Sequence, residues 1–127
     1  MSSKQAIQSD NAPAPIGPYS QAVKVGDTMY LSGQVPLDPV TGELIDGDID
    51  AMARRIFDNL AAVMAAAGGS LADIVKLTIY LVDLNDFAKV NAVMAEYFQE
   101  PYPSRATVAI AGLPKGAPVE VEAIAHF

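Results

Sequence analysis

The sequence predicts an α+β domain in which two helices pack on one face of a mixed β-sheet. Two segments space their apolar residues as amphipathic helices do, and several others are alternating or β-branched, as strands are. Their order along the chain is hairpin, helix, strand, helix and two strands. A length of 127 residues suits one domain, so we expect residues 1–127 to share a single core. The sheet face without helices then needs a cover, which favours self-association.

The first third of the chain is predicted to hold an irregular segment followed by a hairpin. Residues 5–20 are rich in Pro, Ala and Asn, which is typical of an irregular or edge segment. Residues 21–25 and 28–34 are predicted to be strands joined by Gly26-Asp27, a two-residue turn. Pro and Gly occupy turn positions within residues 38–43, so we expect a further short hairpin there.

The first long helix is predicted to begin near Asp48 or Asp50. It should end at Gly68-Gly69, because glycine suits a helix C-terminal cap. On the polar face, Arg54 can pair with Asp50 and with Asp58, each one turn away. The apolar face consists of Ile49, Met52, Ala53, Ile56, Leu60, Val63, Met64 and Ala67.

The second half of the chain is predicted to contain a central strand, a helix and two more strands. Residues 74–82 are β-branched and aromatic with little charge, as in a central strand. Asp83 or Asn85 can cap the next helix, and Pro101 and Pro103 stop it. The apolar face of that helix comprises Phe87, Val90, Val93, Met94, Tyr97 and Phe98. The last two strands cover residues 104–111 and 119–126.

Composition indicates an oligomer and argues against a nucleic-acid-binding protein. Hydrophobic residues make up 51% of the chain and mean hydropathy is +0.24, so we expect an apolar interface between copies. The net charge is −7, whereas a phosphate-backbone footprint needs clustered lysine and arginine. The lysines are scattered along the chain: Lys4, Lys24, Lys76, Lys89 and Lys115.

The residue inventory excludes several kinds of chemistry. Without cysteine there is no disulfide, thiolate metal site or cysteine nucleophile, and with His126 alone there is no histidine-rich metal site. Residues 1–7 lack the apolar run of a secretory signal, and no apolar stretch is long enough to cross a bilayer. We therefore expect a cytoplasmic protein with no membrane association.

Arg105 is the main candidate for ligand binding. It is one of only three arginines, and it lies at the start of a predicted strand, on the same face as Thr107. Burying a guanidinium is costly unless it meets an anion, and its fork can grip a carboxylate with two hydrogen bonds. The pattern therefore suggests a small-acid site. From the pattern alone, a strand-edge arginine in solvent or a structural ion pair is slightly favoured over a ligand clamp.

The other candidate residues carry weaker signals. Glu120 and Glu122 share a strand face, which can simply be solvated, and alternation does not choose between them. Asn91 lies on or beside the buried face of its helix, where it needs a partner in the backbone or in a pocket. Tyr19 brings a hydroxyl on an extended loop, and Ser32-Gly33 sets a hydroxyl beside a glycine that permits close approach of a ligand or marks a bulge.

With these residues in view, the sequence resembles the YjgF/RidA family of reactive-intermediate imine/enamine deaminases. The resemblance runs almost end to end. It implies a chorismate-mutase-like α+β fold assembled as a homotrimer, with pockets between adjacent subunits. The matching blocks are Asn11-Ala12-Pro13, Ile16-Gly17-Pro18-Tyr19, Ser32-Gly33-Gln34-Val35-Pro36, Thr41-Gly42-Glu43, Asp83-Leu84-Asn85-Asp86-Phe87, Val90-Asn91, Pro103-Ser104-Arg105, Leu113-Pro114-Lys115 and Glu120-Val121-Glu122-Ala123-Ile124-Ala125.

The resemblance also implies a role for each candidate residue. Arg105 matches the arginine that binds the substrate carboxylate, and Glu120 rather than Glu122 matches the glutamate that positions or activates water. Thr107 stands where many members have cysteine, at a position whose backbone contributes to the pocket. Four more residues match pocket-lining positions: Tyr19, Ser32, Gly33 and Asn91.

The implied reaction is hydrolysis of 2-iminobutanoate- and 2-iminopropanoate-like compounds, released by pyridoxal-phosphate enzymes, to 2-keto acids and ammonia. It requires no metal or organic cofactor, and its partners are small-molecule imine or enamine acids and other copies of the chain. Two alternatives stay open. Some relatives are described as endoribonucleases or translation inhibitors, and the same arginine would serve a 2-keto acid binding module without turnover.

Overall fold

The computed structural model describes residues 3–127, which form a mixed sheet with two α-helices packed on one face. This is the predicted fold class. The helices are α1 (Ile49–Ala66) and α2 (Phe87–Tyr97). The strands are β1 (Gln5–Ile7), β2 (Ala22–Val25), β3 (Thr28–Gln34), β4 (Ile74–Leu81), β5 (Ser104–Ala109) and β6 (Val119–His126). They lie in the order β1-β2-β3-β6-β4-β5, with β4 and β5 parallel and the other neighbours antiparallel.

The β2–β3 hairpin forms as predicted, and the strand that follows its turn contains a bulge. Gly26 opens the two-residue turn at a φ of 59°, a left-handed conformation that glycine adopts without a Cβ penalty. Between Leu31 and Gln34 the pairing of β3 with β6 slips by one residue, so Ser32-Gly33 forms the bulge. The further hairpin predicted over residues 38–43 is smaller than expected, because strand pairing there is limited to one bridge between residues 37 and 44.

Helix α1 begins and ends where its caps predict. The carboxylate of Asp48 accepts a hydrogen bond from the backbone N–H of Ala51 at 2.9 Å. At the other end Gly68 has a φ of 82°, and the N–H of Gly69 bonds to the carbonyl of Met64 at 2.9 Å. These bonds form a Schellman motif, which satisfies carbonyls that the helix would otherwise leave unpaired.

The predicted pairs of Arg54 within α1 are wrong, because Arg54 instead joins α1 to α2. Its guanidinium donates to both carboxylate oxygens of Glu96, at 3.1 and 2.7 Å. Asp58 accepts instead from the hydroxyl of Tyr97, at 2.9 Å. Since the two helices pack side by side, residues of α2 lie within reach of this face, and a fork onto one carboxylate has better geometry than a pair one turn away.

The core lies between the helices and one face of the sheet. Fully buried residues of β4 alternate with exposed or half-buried ones, and β6 does the same, which puts one face of each strand against the helices. The largest fully buried side chains are Phe57, Met29, Ile56, Leu60, Met64, Leu77, Ile79 and Leu81. Phe87, predicted to lie in this core, is 38% exposed.

The opposite face of the sheet has no covering layer in a single chain. Tyr30 lies opposite Ile124 on this face, and its side chain is 53% exposed. Large exposed apolar groups on a sheet face mark a surface suited to a partner.

Neither helix formed by residues 3–127 combines the length and the apolar character that a membrane-spanning helix needs.

We expect Asp48→Ala to lower the free energy of unfolding by about 1 kcal/mol, because the first turn of α1 loses its side-chain cap. Denaturant unfolding measures the change. The matched control is Asp46→Ala, since Asp46 is an exposed acid of the same loop without a capping bond, and its replacement should cost less than about 0.5 kcal/mol. Equal losses in the two variants would contradict the capping role.

Candidate functional site

Three residues of α2 hold the side chain of Arg105. Arg105 is in register with Leu77, so it lies on the sheet face that carries the helices. Its Nη1 donates to Oδ1 of Asn91 at 2.5 Å and lies 3.4 Å from Sδ of Met94. Its Cζ lies 5.2 Å from the ring centroid of Phe87, within the range of a cation–π contact.

These contacts position the guanidinium without neutralising its charge. An amide, a thioether and an aromatic ring are all uncharged. In the described part of the chain the only ion pair is that of Arg54 with Glu96, so Arg105 has no carboxylate partner there. The ion-pair interpretation of Arg105 therefore does not hold within residues 3–127, and the remaining guanidinium N–H groups are available to an anion.

A cleft of about 440 Å³ opens beside Arg105. Its lining comprises Asn91, Met94, Ala95, Tyr102, Pro103 and Arg105. The walls are largely apolar with one cation and one amide, which suits a small anionic molecule with an apolar part. Thr107 follows Arg105 on the same strand face, in register with Ile79, but its Oγ1 is buried and unpartnered rather than part of this lining.

Glu120 packs against the bulge of β3. A Cβ added to Gly33 would lie 2.7 Å from Oε1 of Glu120 and 2.8 Å from its Cδ, so the carboxylate occupies space that only glycine leaves open. Burial raises the pKa of the Glu120 carboxyl above its ordinary value, and the charge of Glu122 raises it further. The structure thus brings Gly33 and Glu120 together, as two of the predicted site residues.

The two glutamates of β6 differ in their hydrogen bonds, a distinction that alternation could not make. Glu122 accepts a hydrogen bond from the hydroxyl of Tyr80 at 2.5 Å. Among residues 3–127, no donor is found on the carboxylate of Glu120. Glu120 is therefore the carboxylate left free to accept a proton or bind a water molecule.

Two side-chain hydrogen bonds anchor the loop that carries Tyr19. The buried side chain of Gln21 donates to the carbonyl of Pro13 at 2.9 Å. The hydroxyl of Ser32 donates to the carbonyl of Ser20 at 2.6 Å. Ser32 thus anchors the loop with its hydroxyl, and Tyr19 lies half exposed beside Gly33 in a shallow pocket. Sequence patterns did not single out Gln21, although a glutamine among apolar strand residues is a signal that could have found it.

The candidate residues form two groups on opposite faces of the sheet. Arg105 aligns with Leu77 on β4, whereas Glu120 aligns with Tyr80, and side chains three residues apart on a strand point to opposite faces. The two residues are offset by three positions along β4 and by two strand spacings across the sheet. This offset puts the Cα atoms of Arg105 and Glu120 about 14 Å apart. One chain therefore brings Arg105 together with Asn91, but not with Glu120.

Phe87 and Met94 were not predicted to be neighbours of Arg105. Phe87, Asn91 and Met94 are spaced four and three residues apart, so they form one stripe on α2. The stripe was assigned to the core because two of its members are apolar. Asn91 is a polar residue in the middle of this otherwise apolar stripe. That signal could have distinguished the residues of α2 that contact Arg105 from those that lie in the core.

The fold and these two groups define a small α+β protein whose edge strand carries a positioned arginine with no carboxylate partner among residues 3–127. A family model described as endoribonuclease L-PSP matches residues 9–127. The chain belongs to this family, which is the YjgF/RidA family. The resemblance inferred from sequence blocks is therefore confirmed.

Curated relatives and solved structures match along nearly the whole chain. A RutC family protein of Pyrococcus horikoshii is 51% identical over 97% of this chain and 98% of its own. The 2-iminobutanoate/2-iminopropanoate deaminase of Dermatophagoides farinae is 49% identical over 98% and 97%. The crystal structure of RidA from an Antarctic Psychrobacter superposes with a TM-score of 0.93 at 53% identity, covering 97% of this chain and 99% of that one. Relatives named as imine deaminases support enzyme activity at the level of the family.

We expect Gly33→Ala to destabilise the protein by no more than about 1 kcal/mol, because the new Cβ overlaps the Glu120 carboxylate, and this end of a flexible side chain can move aside. A double-mutant cycle in denaturant checks the cause. In a Glu120→Ala background the same substitution should cost much less, since the overlapping atoms are gone. An equal cost in both backgrounds would show that Gly33 is needed for the backbone of the bulge instead.

Proposed function

We propose that this protein hydrolyses 2-iminobutanoate, 2-iminopropanoate and their enamine forms to 2-keto acids and ammonia. The single observation that carries the proposal is the Arg105 guanidinium, positioned by uncharged groups at a cleft and free of any carboxylate among residues 3–127. Membership of a family with relatives named 2-iminobutanoate/2-iminopropanoate deaminase supports this substrate class.

Arg105 would bind the substrate through its carboxylate. The proposed substrates carry a carboxylate next to a C=N bond, so two parallel hydrogen bonds from one guanidinium fix the position of the imine carbon. Asn91 and Phe87 limit the movement of that guanidinium from two sides. Holding reactants in place in this way can offset several kcal/mol of barrier.

Glu120 would act as the general base. The protonated imine accepts water at C2 while the Glu120 carboxylate takes one proton from that water, which gives a neutral carbinolamine. Glu120 returns this proton to the amino nitrogen, and the C–N bond then breaks as the hydroxyl proton passes to Glu120. The 2-keto acid leaves, and ammonia takes up that last proton and leaves as ammonium. A pKa raised by burial suits a base at neutral pH. No step needs a metal or an organic cofactor.

Both groups can serve one reaction only if two copies of the chain meet. Arg105 lies at the exposed edge strand β5, and Glu120 lies on the uncovered face of the sheet. An assembly that sets the β5 edge of one copy against the β3 bulge of the next would join them. We propose a homotrimer with one such pocket between each pair of neighbours, and the uncovered face supports this arrangement.

A 2-keto acid binding module is the second candidate, because the Arg105 cleft can bind a carboxylate without Glu120. An RNA-directed role, which the family description invites, has less physical support. The chain carries a net charge of −7, and of its three arginines Arg54 is already paired with Glu96.

Arg105→Ala should lower imine hydrolysis by roughly 100-fold or more, since it removes both hydrogen bonds to the carboxylate. The measurement couples threonine dehydratase to this protein and follows 2-ketobutyrate release while semicarbazide competes for the imine. Arg54→Ala, which removes an arginine outside the site, is the control and should keep the wild-type rate. Retained activity of Arg105→Ala in a correctly assembled protein would overturn the proposal.

Glu120→Gln should still bind 2-ketobutyrate but lose roughly 100- to 10,000-fold in turnover, because the amide cannot accept the proton. Calorimetric titration with 2-ketobutyrate measures binding, and the coupled assay measures turnover. If the unaltered protein binds the keto acid without accelerating hydrolysis, the binding module is correct. RNA binding that weakens with added salt, without keto acid binding, would favour the nucleic-acid function.

A further inference from the structure

Tyr80 donates its hydrogen bond to Glu122 rather than to Glu120, the glutamate that lies nearer in the ladder. In the β4–β6 ladder Tyr80 lies directly opposite Glu120, and Thr78 lies opposite Glu122. The hydroxyl of Tyr80 nevertheless donates to Oε1 of Glu122 at 2.5 Å, across the diagonal of the ladder. This bond raises the pKa of the Tyr80 hydroxyl, because ionised Tyr80 would lose the bond and face the glutamate charge.

The bond fixes one carboxylate and leaves its neighbour free. Glu120 and Glu122 are two residues apart on β6 and share a face, so about 7 Å of strand separates their Cα atoms. Glu122 is held at its oxygen by Tyr80, whereas Glu120 rests against Gly33 without a donor among residues 3–127. The two carboxylates on this face thus have different environments.

We propose that Tyr80 and Glu122 are positioning residues that hold a negative charge beside Glu120 and thereby strengthen it as the general base. This inference rests on the proposed imine hydrolysis. An ionised neighbour makes protonation of Glu120 more favourable, so Glu120 becomes a stronger proton acceptor than burial alone would make it. Tyr80 acts through Glu122, by keeping that carboxylate from turning away from the like charge.

Other titratable groups around Glu120 do not supply this effect. From β4, Tyr80 is committed to Glu122. Lys76 of β4 and Tyr30 of β3 share a depression with Glu122, in which Lys76 lies opposite Ile124, farther along the ladder from Glu120. From the loop beside Gly33, Tyr19 offers a hydroxyl. Among these groups, only Glu122 is a negative charge on the strand of Glu120.

The direction of the expected pH effect follows from charge. In Glu122→Gln the neighbouring charge is gone, so the pKa of Glu120 falls. Glu120 then stays ionised to lower pH, and the acid limb of the kcat/KM profile should move down by about 0.5 to 1 pH unit. A weaker base also transfers protons less readily, so the plateau rate should fall about two- to threefold. A loss of packing alone would lower the plateau without moving the limb.

The test is a set of pH–rate profiles for the wild type, Glu122→Gln, Tyr80→Phe and the double variant. Tyr80→Phe should move the acid limb in the same direction by no more than Glu122→Gln does. The double variant should match Glu122→Gln, since Tyr80 acts only through that residue. Glu96→Gln, which removes a glutamate charge outside the site, is the control and should leave the limb in place. An unmoved limb in Glu122→Gln, or additive shifts in the double variant, would overturn the inference.

A carbon-13 NMR titration of the Glu120 carboxyl separates this inference from the proposed reaction. The signal is assigned by its loss in Glu120→Gln, and its midpoint should fall in Glu122→Gln whether or not the protein turns over substrate. If the wild type has no deaminase activity, the proposed function fails and with it the role of Glu120 as base. If activity is present but the midpoint does not move, the proposed function stands and the role of Glu122 is wrong.

Discussion

The candidate site depends on one cation, the Arg105 guanidinium, which contacts α2 and has no carboxylate partner among residues 3–127. A charge without a counter-ion is tolerated there because β5 is an edge strand that remains open to solvent, and because Asn91 and Phe87 offer an oxygen and a ring face in place of a carboxylate. The position of α2 therefore sets the position of the guanidinium. That helix is held by its buried face, where Val90, Val93 and Met94 pack into the core.

The second constraint is the bulge at Ser32-Gly33, which makes room for a carboxylate in the middle of a sheet. A Cβ at Gly33 would overlap the Glu120 carboxylate and displace that side chain. The bulge also turns the Ser32 hydroxyl towards the loop of Tyr19. Ser32 and Gly33 thus position the loop of Tyr19 and the Glu120 carboxylate, respectively. The regular part of the sheet separates both of these groups from Arg105.

Local patterns predicted most of the fold, and their failures have physical causes. The β2–β3 hairpin and both ends of α1 follow from turn and cap residues, which act over a few positions. The pairing of Arg54 and the exposure of Phe87 depend on which elements meet, and helical spacing does not contain that information. For the candidate site, residue types indicated an anion-binding arginine. The division between faces, and the difference between Glu120 and Glu122, needed the strand register and the contact with Tyr80.

The position of β6 in the sheet has a consequence for the order of folding. The strand that comes last along the chain lies between β3 and β4, so it joins the β1–β2–β3 meander to the β4–α2–β5 unit. Each of those units can begin to form from neighbouring segments as the polypeptide leaves the ribosome. Their two inner strand edges stay unpaired until β6 is synthesised. The sheet is therefore completed only after residues 119–126 have left the ribosome, and until then the nascent chain must keep two unsatisfied edges apart.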